Sequence, residues 1–151
     1  MTVRRRVLIV EARFYADLAD QLYAGAAHVL AAAGVLTQRH AVPGCFELPA
    51  ALRFALGETP AAYSFDGCVA LGCVIRGETD HYDHICREVA RALMDLSIMF
   101  SVPLGFGVLT CETYDQALVR AAVDQKNKGA EAAVACLRMM ELKRLLGAVS
   151  A

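Results

Sequence analysis

The sequence lacks tryptophan, any CxxC pair and any uncharged apolar run long enough to cross a membrane. A bilayer-spanning helix needs about 18 to 20 consecutive apolar residues, and charged residues interrupt the apolar stretches before that length. The short run Val7–Val10 is soon followed by Glu11 and Arg13, so it predicts a buried strand and not a signal peptide. The composition therefore disfavours a membrane protein.

The chain also lacks an excess of charge of either sign. Lysine and arginine total 15 and aspartate and glutamate total 16, which gives a net charge of −1. Such a balance provides no global positive field for nucleic acid or for an anionic membrane surface. We therefore expect no nucleic-acid partner and no membrane partner, and any anion must bind at a local site.

Cysteine is present but its spacing is not that of a disulfide or zinc framework. The six cysteines fall at positions 45, 68, 73, 86, 111 and 136, and most lie within apolar strand or helix patterns. A chain of this size buries enough apolar surface to be stable without cross-links. We therefore expect reduced, buried thiols and a cytoplasmic location.

The length of 151 residues suits one domain covering 1–151, with one sizeable core. Apolar residues make up 57% of the chain, which is high for a single small domain. This surplus needs a place to be buried, and a subunit interface would provide it. We therefore expect a homo-oligomer.

Strand and helix patterns alternate along the chain. We predict strands over 5–12, 35–42, 66–75 and 104–110, and a loop over 57–60. Helical spacing covers 18–33, 48–56, 80–100, 114–125 and 130–146, and Gly34 follows the first helix as a C-terminal stop. The strands are interpreted as apolar on both faces, which predicts a parallel sheet covered by helices on both sides. Ligands of such folds bind beyond the carboxyl ends of the strands.

One candidate site follows the predicted strand 66–75. There the chain passes through Arg76 and Gly77 into the first turn of a helix, which Thr79 or Asp80 could cap. A helix N-terminus presents free N–H groups that bind anions, and Arg76 would favour this role. A capped helix after a tight turn, without a ligand, is an equally good interpretation of the same pattern.

His81 stands in the first turn of that helix. A histidine there suits proton transfer near neutral pH, although surface histidines are as common at helix starts. His84 and Cys86 lie close enough along the helix to raise the question of a metal site, but no further ligand pattern accompanies them. A thiol nucleophile formed by Cys73 or Cys111 with His81 lacks an adjacent orienting residue and is disfavoured.

A second candidate site is the turn at 43–49, where two prolines and a glycine restrict the backbone. Phe46 and Glu47 would be held on this turn at a strand end. Glu47 could serve only as a favourable charge at a helix N-terminus. Alternatively its carboxylate could hydrogen-bond a polyol, with Phe46 against a flat ring.

Arg120 and Lys128 form a third candidate, on either side of a predicted helix end. They could lie on a solvated surface or close a phosphate site. Composition does not decide between these two interpretations.

Taken together, six segments resemble the lumazine synthase family in order and spacing. They are Glu11–Tyr15, Val42–Pro49, Gly72–Asp83, Phe106–Glu112, Gln116–Ala121 and Asn127–Gly129. A single such motif would be weak, but six in register over nearly the whole chain are highly specific. Tyr15, Thr113 and Asp124 depart from residues that are common in the family, and none of the three replaces Phe14, His81 or Arg120.

The resemblance implies a flavodoxin-like, three-layer α/β fold with a four-stranded parallel sheet and helices on both faces. It implies condensation of 5-amino-6-(D-ribitylamino)uracil with 3,4-dihydroxy-2-butanone 4-phosphate to 6,7-dimethyl-8-ribityllumazine, the penultimate step of riboflavin biosynthesis. It implies no cofactor and no metal. It also implies pentamers or assemblies of pentamers. A non-catalytic flavin- or lumazine-binding protein, or a shell-forming protein of the same fold, is the alternative.

The resemblance also implies a role for each matched residue. His81 is the proton-transfer residue, Phe14 stacks on the pyrimidine, and Phe106 covers the ring from a neighbouring subunit. The remaining substrate contacts are Cys45, Phe46 and Glu47 for the ribityl chain, Cys73, Val74 and Ile75 for the ring, and Glu78, Thr79, Arg120 and Lys128 for the phosphate.

Overall fold

A single parallel sheet organises the computed structural model, which describes residues 4–58 and 64–150. Within these residues the sheet has four strands in the order β2-β1-β3-β4. Their bounds are β1 (Arg6–Ala12), β2 (Leu36–Val42), β3 (Gly67–Ile75) and β4 (Leu104–Cys111). The parallel arrangement places the carboxyl ends of all four strands at one edge of the sheet.

Helices cover both faces of the sheet. Their bounds are α1 (Ala16–Ala32), α2 (Leu48–Leu56), α3 (His81–Met99), α4 (Tyr114–Ala121) and α5 (Lys128–Ser150), with a short 3-10 helix at Cys45–Glu47 before α2. Buried side chains of α1, α4 and α5 form one apolar cluster with the sheet, and those of α2 and α3 form a second on the opposite face. The predicted three-layer α/β fold is therefore confirmed.

The prediction that all strands are apolar on both faces is wrong for β2. This strand lies at an edge of the sheet and pairs only with β1, and its side chains are exposed or half-buried throughout. The other edge strand, β4, differs because Val108 and Leu109 pack into the apolar clusters beneath the helices. Gln38 and His40 contact each other there, with 2.8 Å between their Nε2 atoms. An edge strand with polar side chains needs no apolar cover, which explains its composition.

The boundary between α4 and α5 also differs from the prediction. α4 ends at Ala121 and not near Gln125, because Ala122 adopts an extended conformation with ψ of 129°. α5 begins at Lys128 and not at Ala130, and it continues to Ser150, beyond the predicted end at Leu146. The other predicted helices and strands lie within two residues of the observed bounds, and Gly34 has the expected left-handed conformation, with φ of 72°.

Parts of two predictions lie outside the described residues, namely residues 59–60 of the loop and the first and last residues of the domain. That 1–151 form one domain stays a prediction. In the ranges 4–58 and 64–150, no helix has both the length and the apolar composition needed to cross a bilayer.

Candidate active site

A cavity of about 580 Å³ opens at the carboxyl edge of the sheet. Eight of the predicted site residues line it: Phe14, Cys45, Phe46, Glu47, Cys73, Val74, Ile75 and His81. They come from four segments of the chain, each at the end of a strand or in the connection that follows one, and His81 begins α3 after β3. The fold therefore brings together the residues that the sequence predicted to follow the strands.

Each wall of the cavity has a local structural origin. Phe14 follows the end of β1, and the last residues of β3 form the floor. The turn after β2 folds into the 3-10 helix, where the N–H of Glu47 donates to the carbonyl of Gly44 at 3.2 Å. Pro49 lies in the first turn of α2, where its missing N–H costs no hydrogen bond. This arrangement holds Phe46 and Glu47 at the cavity mouth.

Two aromatic side chains stand at the cavity with most of their surface free. Phe14 is 74% exposed and Phe46 is 65% exposed. The ring of Phe14 meets the ring of Tyr15 edge-on, with 4.9 Å between centroids. Exposed aromatic rings beside a concave apolar surface are suited to a flat heterocyclic ligand.

The thiols of the cavity are poor nucleophiles. Burial raises the pKa of Cys45 to about 12, and it also raises the pKa of Cys73. Burial is again the main cause of the raised pKa of Cys111. Thiols with raised pKa values remain protonated near neutral pH. A Cys–His nucleophile is therefore disfavoured by the structure as well as by the sequence.

His81 is the first residue of α3 and one of the few polar residues at the cavity. Its backbone N–H donates to the hydroxyl of Thr79 at 3.3 Å, while Asp80 occupies the N-cap position without a side-chain cap. Thr79 therefore supplies the hydroxyl acceptor at the start of the helix. This contact fixes the backbone from which the imidazole of His81 projects.

The second histidine of this turn has a different environment. Nε2 of His84 lies 3.2 Å from a carboxylate oxygen of Asp80, on the exposed surface of α3. No group of three histidine, cysteine or acidic residues with metal-binding geometry occurs in the described part of the chain. His84 thus contacts a local carboxylate.

Arg76 joins the loop before α3 to two neighbouring segments. Its guanidinium lies 3.2 Å from Asp83 of α3 and 2.8 Å from Glu112, which follows β4. The hydrogen bond to Asp83 is the main cause of its raised pKa. It also lies 4.4 Å from the centroid of the Tyr82 ring. Arg76 is therefore paired with carboxylates of its own chain, while Glu78 and Thr79 lie exposed in the same loop and do not line the cavity.

The remaining predicted contacts lie elsewhere in the chain. Phe106 and Lys128 line a second pocket of about 310 Å³, where Nζ of Lys128 is 2.8 Å from Glu131. Arg120 is half-buried on α4, and its guanidinium donates to the carbonyl of Gln116 at 3.1 Å. Within one chain, these three residues therefore lie apart from the cavity that contains His81.

Sequence reasoning did not place Ile85, Tyr15 or Glu131 among the site residues. Ile85 lies one turn after His81, and this spacing puts both on one helix face. Glu131 lies three residues after Lys128, a spacing that suits an ion pair on a helix. Tyr15 lines the cavity beside Phe14 and packs against the core. Helical spacing from the predicted residues would have found Ile85 and Glu131.

One departure from the family pattern has a clear structural role. The hydroxyl of Thr113 accepts a hydrogen bond from the N–H of Gln116 at 3.2 Å and so caps α4. Threonine and asparagine both serve as N-caps. The residue at this position therefore keeps the helix start that precedes Arg120.

The fold and the cavity define a class: a parallel α/β protein with an apolar ligand site at the carboxyl edge of its sheet. The family model described as 6,7-dimethyl-8-ribityllumazine synthase matches residues 4–144. The chain belongs to this family of enzymes, as its sequence resemblance indicated.

Curated relatives that match this chain over most of their length are also named 6,7-dimethyl-8-ribityllumazine synthase. The 6,7-dimethyl-8-ribityllumazine synthase of Methylorubrum extorquens (strain PA1) is 51% identical, over 92% of this chain and 81% of its own. The 6,7-dimethyl-8-ribityllumazine synthase 1 of Rhizobium meliloti (strain 1021) is 52% identical, over 94% of both chains. That of Methylobacterium radiotolerans is 53% identical, over 93% of this chain and 83% of its own.

Proposed function

We propose that this protein condenses 5-amino-6-(D-ribitylamino)uracil with 3,4-dihydroxy-2-butanone 4-phosphate to give 6,7-dimethyl-8-ribityllumazine. The observation that carries the proposal is the cavity at the carboxyl edge of the sheet, where eight residues expected from the family motifs line one space. The membership of the chain in the family supports the same reaction. The protein needs no metal and no cofactor for this chemistry.

The cavity suits the two parts of the ribitylaminouracil. Phe14 stacks on the pyrimidine, and the floor formed by Cys73, Val74 and Ile75 lines the ring. The turn with Cys45, Phe46 and Glu47 receives the ribityl chain, where carboxylate and backbone groups hydrogen-bond its hydroxyls. A neutral thiol at Cys45 is compatible with this role, since burial keeps its pKa near 12.

The reaction requires repeated proton transfers and little covalent assistance. The 5-amino group attacks the ketone, and loss of water gives an imine. Phosphate then leaves by elimination to give an enol, which tautomerises to a ketone. Attack of the ribitylamino nitrogen on this ketone closes the ring with loss of a second water. His81 lies in the cavity wall and moves protons between these steps. Much of the acceleration comes from holding both substrates together.

The phosphate half of the site comes from a neighbouring chain. Arg120, Lys128 and Phe106 do not line the cavity of their own chain, and Phe106 is 49% exposed. We infer that this surface faces the cavity of the next subunit, where Arg120 and Lys128 pair with the phosphate and Glu78 and Thr79 offer backbone donors. Each active site is then shared by two chains.

An exposed apolar face supports such an assembly. α3 and α5 enclose an open groove of about 650 Å³, lined by apolar side chains that include Met94, Ile98, Met139 and Leu142. Exposed apolar surface of this kind is characteristic of a subunit interface. We propose that a second copy of this chain packs into the groove. The chains are then arranged head to tail in a pentamer, which stays single or forms assemblies of pentamers. The location is the cytoplasm, where the thiols stay reduced.

The direct test mixes the purified protein with both substrates and follows the absorbance of the lumazine. Treatment of the protein with a chelator, and omission of flavin, tests the independence from metal and cofactor. A reaction without protein measures the uncatalysed rate. We expect a rate above this background. Folded protein that gives only the background rate would overturn the proposal, and binding of the lumazine without turnover would favour a non-catalytic binding protein.

A further inference from the structure

Lys128 stands between two residues that pack against the same turn of α1. Asn127 precedes it with a left-handed backbone, φ of 48°, and Gly129 follows it as a buried residue. Both neighbours approach α1 between Leu22 and Gly25, whereas Lys128 reaches Glu131 and the second pocket. The segment Asn127–Gly129 is therefore attached to α1 at two points, one on each side of the lysine.

Both attachment points are too close for an additional methyl group. A Cβ added to Gly129 would overlap the carbonyl of Leu22, and a Cβ added to Gly25 would overlap Oδ1 of Asn127. That oxygen is buried, has no hydrogen-bond partner among the described residues, and lies against Gly25 of α1. Contacts of this kind transmit small displacements, because close-packed groups cannot yield without moving their neighbours.

Asn127 also organises the backbone on both sides of the lysine. Its N–H donates to the carbonyl of Ala122 at 3.1 Å and so closes the loop after α4. Its carbonyl accepts from Ala130 at 3.1 Å and from Glu131 at 3.3 Å, which starts α5. The side chain of Gln21, also on α1, accepts from the N–H of Val123 at 3.0 Å. The segment between Arg120 and Lys128 is thus held against α1 by the hydrogen bond of Val123 and by the packing of Asn127.

We propose that Gly25 and Asn127 are positioning residues that set the placement of Lys128 for the phosphate-bearing substrate. This inference rests on the proposed function, which assigns phosphate binding to Lys128. Gly25 is a buried residue of α1 and lines neither the cavity with His81 nor the pocket with Lys128. Its lack of a side chain permits the close approach of Asn127, and this approach determines where α5 begins.

The first test is Gly25→Ala, with Ala24→Ser as the matched control on the exposed side of the same helix turn. Alanine is favoured over glycine in a helix, so any loss comes from the overlap with Asn127 and the close approach to the backbone nitrogen of Ala130, both at the start of α5. We expect the KM for 3,4-dihydroxy-2-butanone 4-phosphate to rise roughly three- to tenfold. The KM for the ribitylaminouracil should stay within about twofold. A merely destabilised protein would lose active enzyme without separating the two KM values.

A double-mutant cycle with Lys128→Met assigns the effect to the lysine. Gly25→Ala should raise the KM for the phosphate-bearing substrate in the parent protein but add nothing in the Lys128→Met background. Additive effects, or a folded Gly25→Ala protein with unchanged KM values, would overturn the inference. If Lys128→Met itself leaves both KM values unchanged, the proposed phosphate role of Lys128 fails instead.

Asn127→Gly provides a second variant if Gly25→Ala does not fold. Glycine tolerates the left-handed φ of this position, so the backbone course is kept while the contact with α1 is removed. We expect the same selective rise in the KM for the phosphate-bearing substrate, again absent in the Lys128→Met background. Unchanged KM values in folded Asn127→Gly would overturn the inference by themselves.

Discussion

The carboxylate of Glu11 on β1 is fully buried, and it accepts hydrogen bonds from the guanidinium of Arg39 on the neighbouring strand β2. Arg13 also pairs with it, and Nη2 of Arg39 lies 3.1 Å from Oε1. The hydrogen bond to Glu11 is the main cause of the raised pKa of Arg39, and the same guanidinium lies 3.5 Å from the centroid of the Tyr23 ring. Among these three charged residues only the carboxylate of Glu11 is buried, whereas both guanidinium groups are partly exposed.

This asymmetry predicts the effect of Arg39→Met on stability. The substitution leaves Glu11 buried with one cation fewer, and we expect a loss of about 2 kcal/mol in the free energy of unfolding. Adding Glu11→Gln should recover part of this loss, because the buried group is then neutral. Thermal unfolding at one fixed protein concentration measures both. Equal midpoints for the parent and Arg39→Met would contradict the prediction.

For His81→Ala we expect a fall in kcat that exceeds any rise in either KM. A proton-transfer residue acts on the transition state, and we expect a loss between about tenfold and about 100-fold. His84→Ala is the matched control, since His84 contacts Asp80 on the exposed surface of the same helix. Steady-state kinetics with each substrate varied in turn decide the matter. An unchanged kcat in folded His81→Ala removes this residue from the mechanism.

For Arg120→Ala we expect weaker binding of the phosphate-bearing substrate alone. Loss of a charge-assisted hydrogen bond costs about 1.5–3 kcal/mol, which corresponds to a rise in KM of about tenfold to about 150-fold. Arg91→Ala is a control, because this arginine pairs only with exposed carboxylates of its own helix among its described contacts. Equal weakening of both substrates would argue against a phosphate contact at Arg120.

Shared active sites predict that two impaired variants restore activity together. Unfolded His81→Ala and Arg120→Ala chains are mixed in equal amounts and refolded. In a head-to-tail ring, about a quarter of the interfaces then combine an intact His81 with an intact Arg120. We expect activity above that of either variant, approaching about a quarter of the parent rate. Mixed rings that are demonstrated by mass and regain no activity would place both residues in a site within one chain.

Ser101 predicts a stabilising substitution at the end of α3. Its φ is 52°, and the N–H of Val102 donates to the carbonyl of Ser97 at 3.1 Å, so Ser101 lies where glycine is favoured after a helix. We expect Ser101→Gly to add about 0.5–1 kcal/mol, a rise of roughly 1–4 °C in the thermal midpoint. Ser101→Ala keeps the Cβ and should add nothing. If the alanine variant gains as much as the glycine variant, backbone strain is not the cause.

The sequence predicted the layers of the fold because β1, β3 and β4 are largely buried and therefore apolar. β2 was the exception: both β2 and β4 lie at sheet edges, but only β4 contributes buried side chains to the apolar clusters, and such helix cover is not visible in a single strand. The end of α4 was also missed. Ala122 is an ordinary helix former, but the N–H of Val123 beyond it donates to the side chain of Gln21, over 100 residues away in the sequence.

The residues of the cavity were predictable because they follow strand ends in a parallel sheet, as Phe14, Phe46 and His81 do. Their contacts were less predictable. Arg76 looked suited to an external anion, but its two carboxylate partners come from α3 and from the end of β4. The relation of Lys128 to α1 likewise depends on Gly25, a residue whose importance lies in the absence of a side chain.

The exposure of Phe14 and Phe46 has a consequence for altering substrate preference. Side chains that are 74% and 65% exposed contribute little to the core, so their replacement changes the cavity mouth at small cost to folding. Cys45 and Cys73 on the floor are buried, and enlarging them would disturb strand packing. Laboratory evolution toward other heterocycles should therefore accumulate changes at the mouth first. The tolerance of the fold to mutation therefore increases from the floor of the cavity outward.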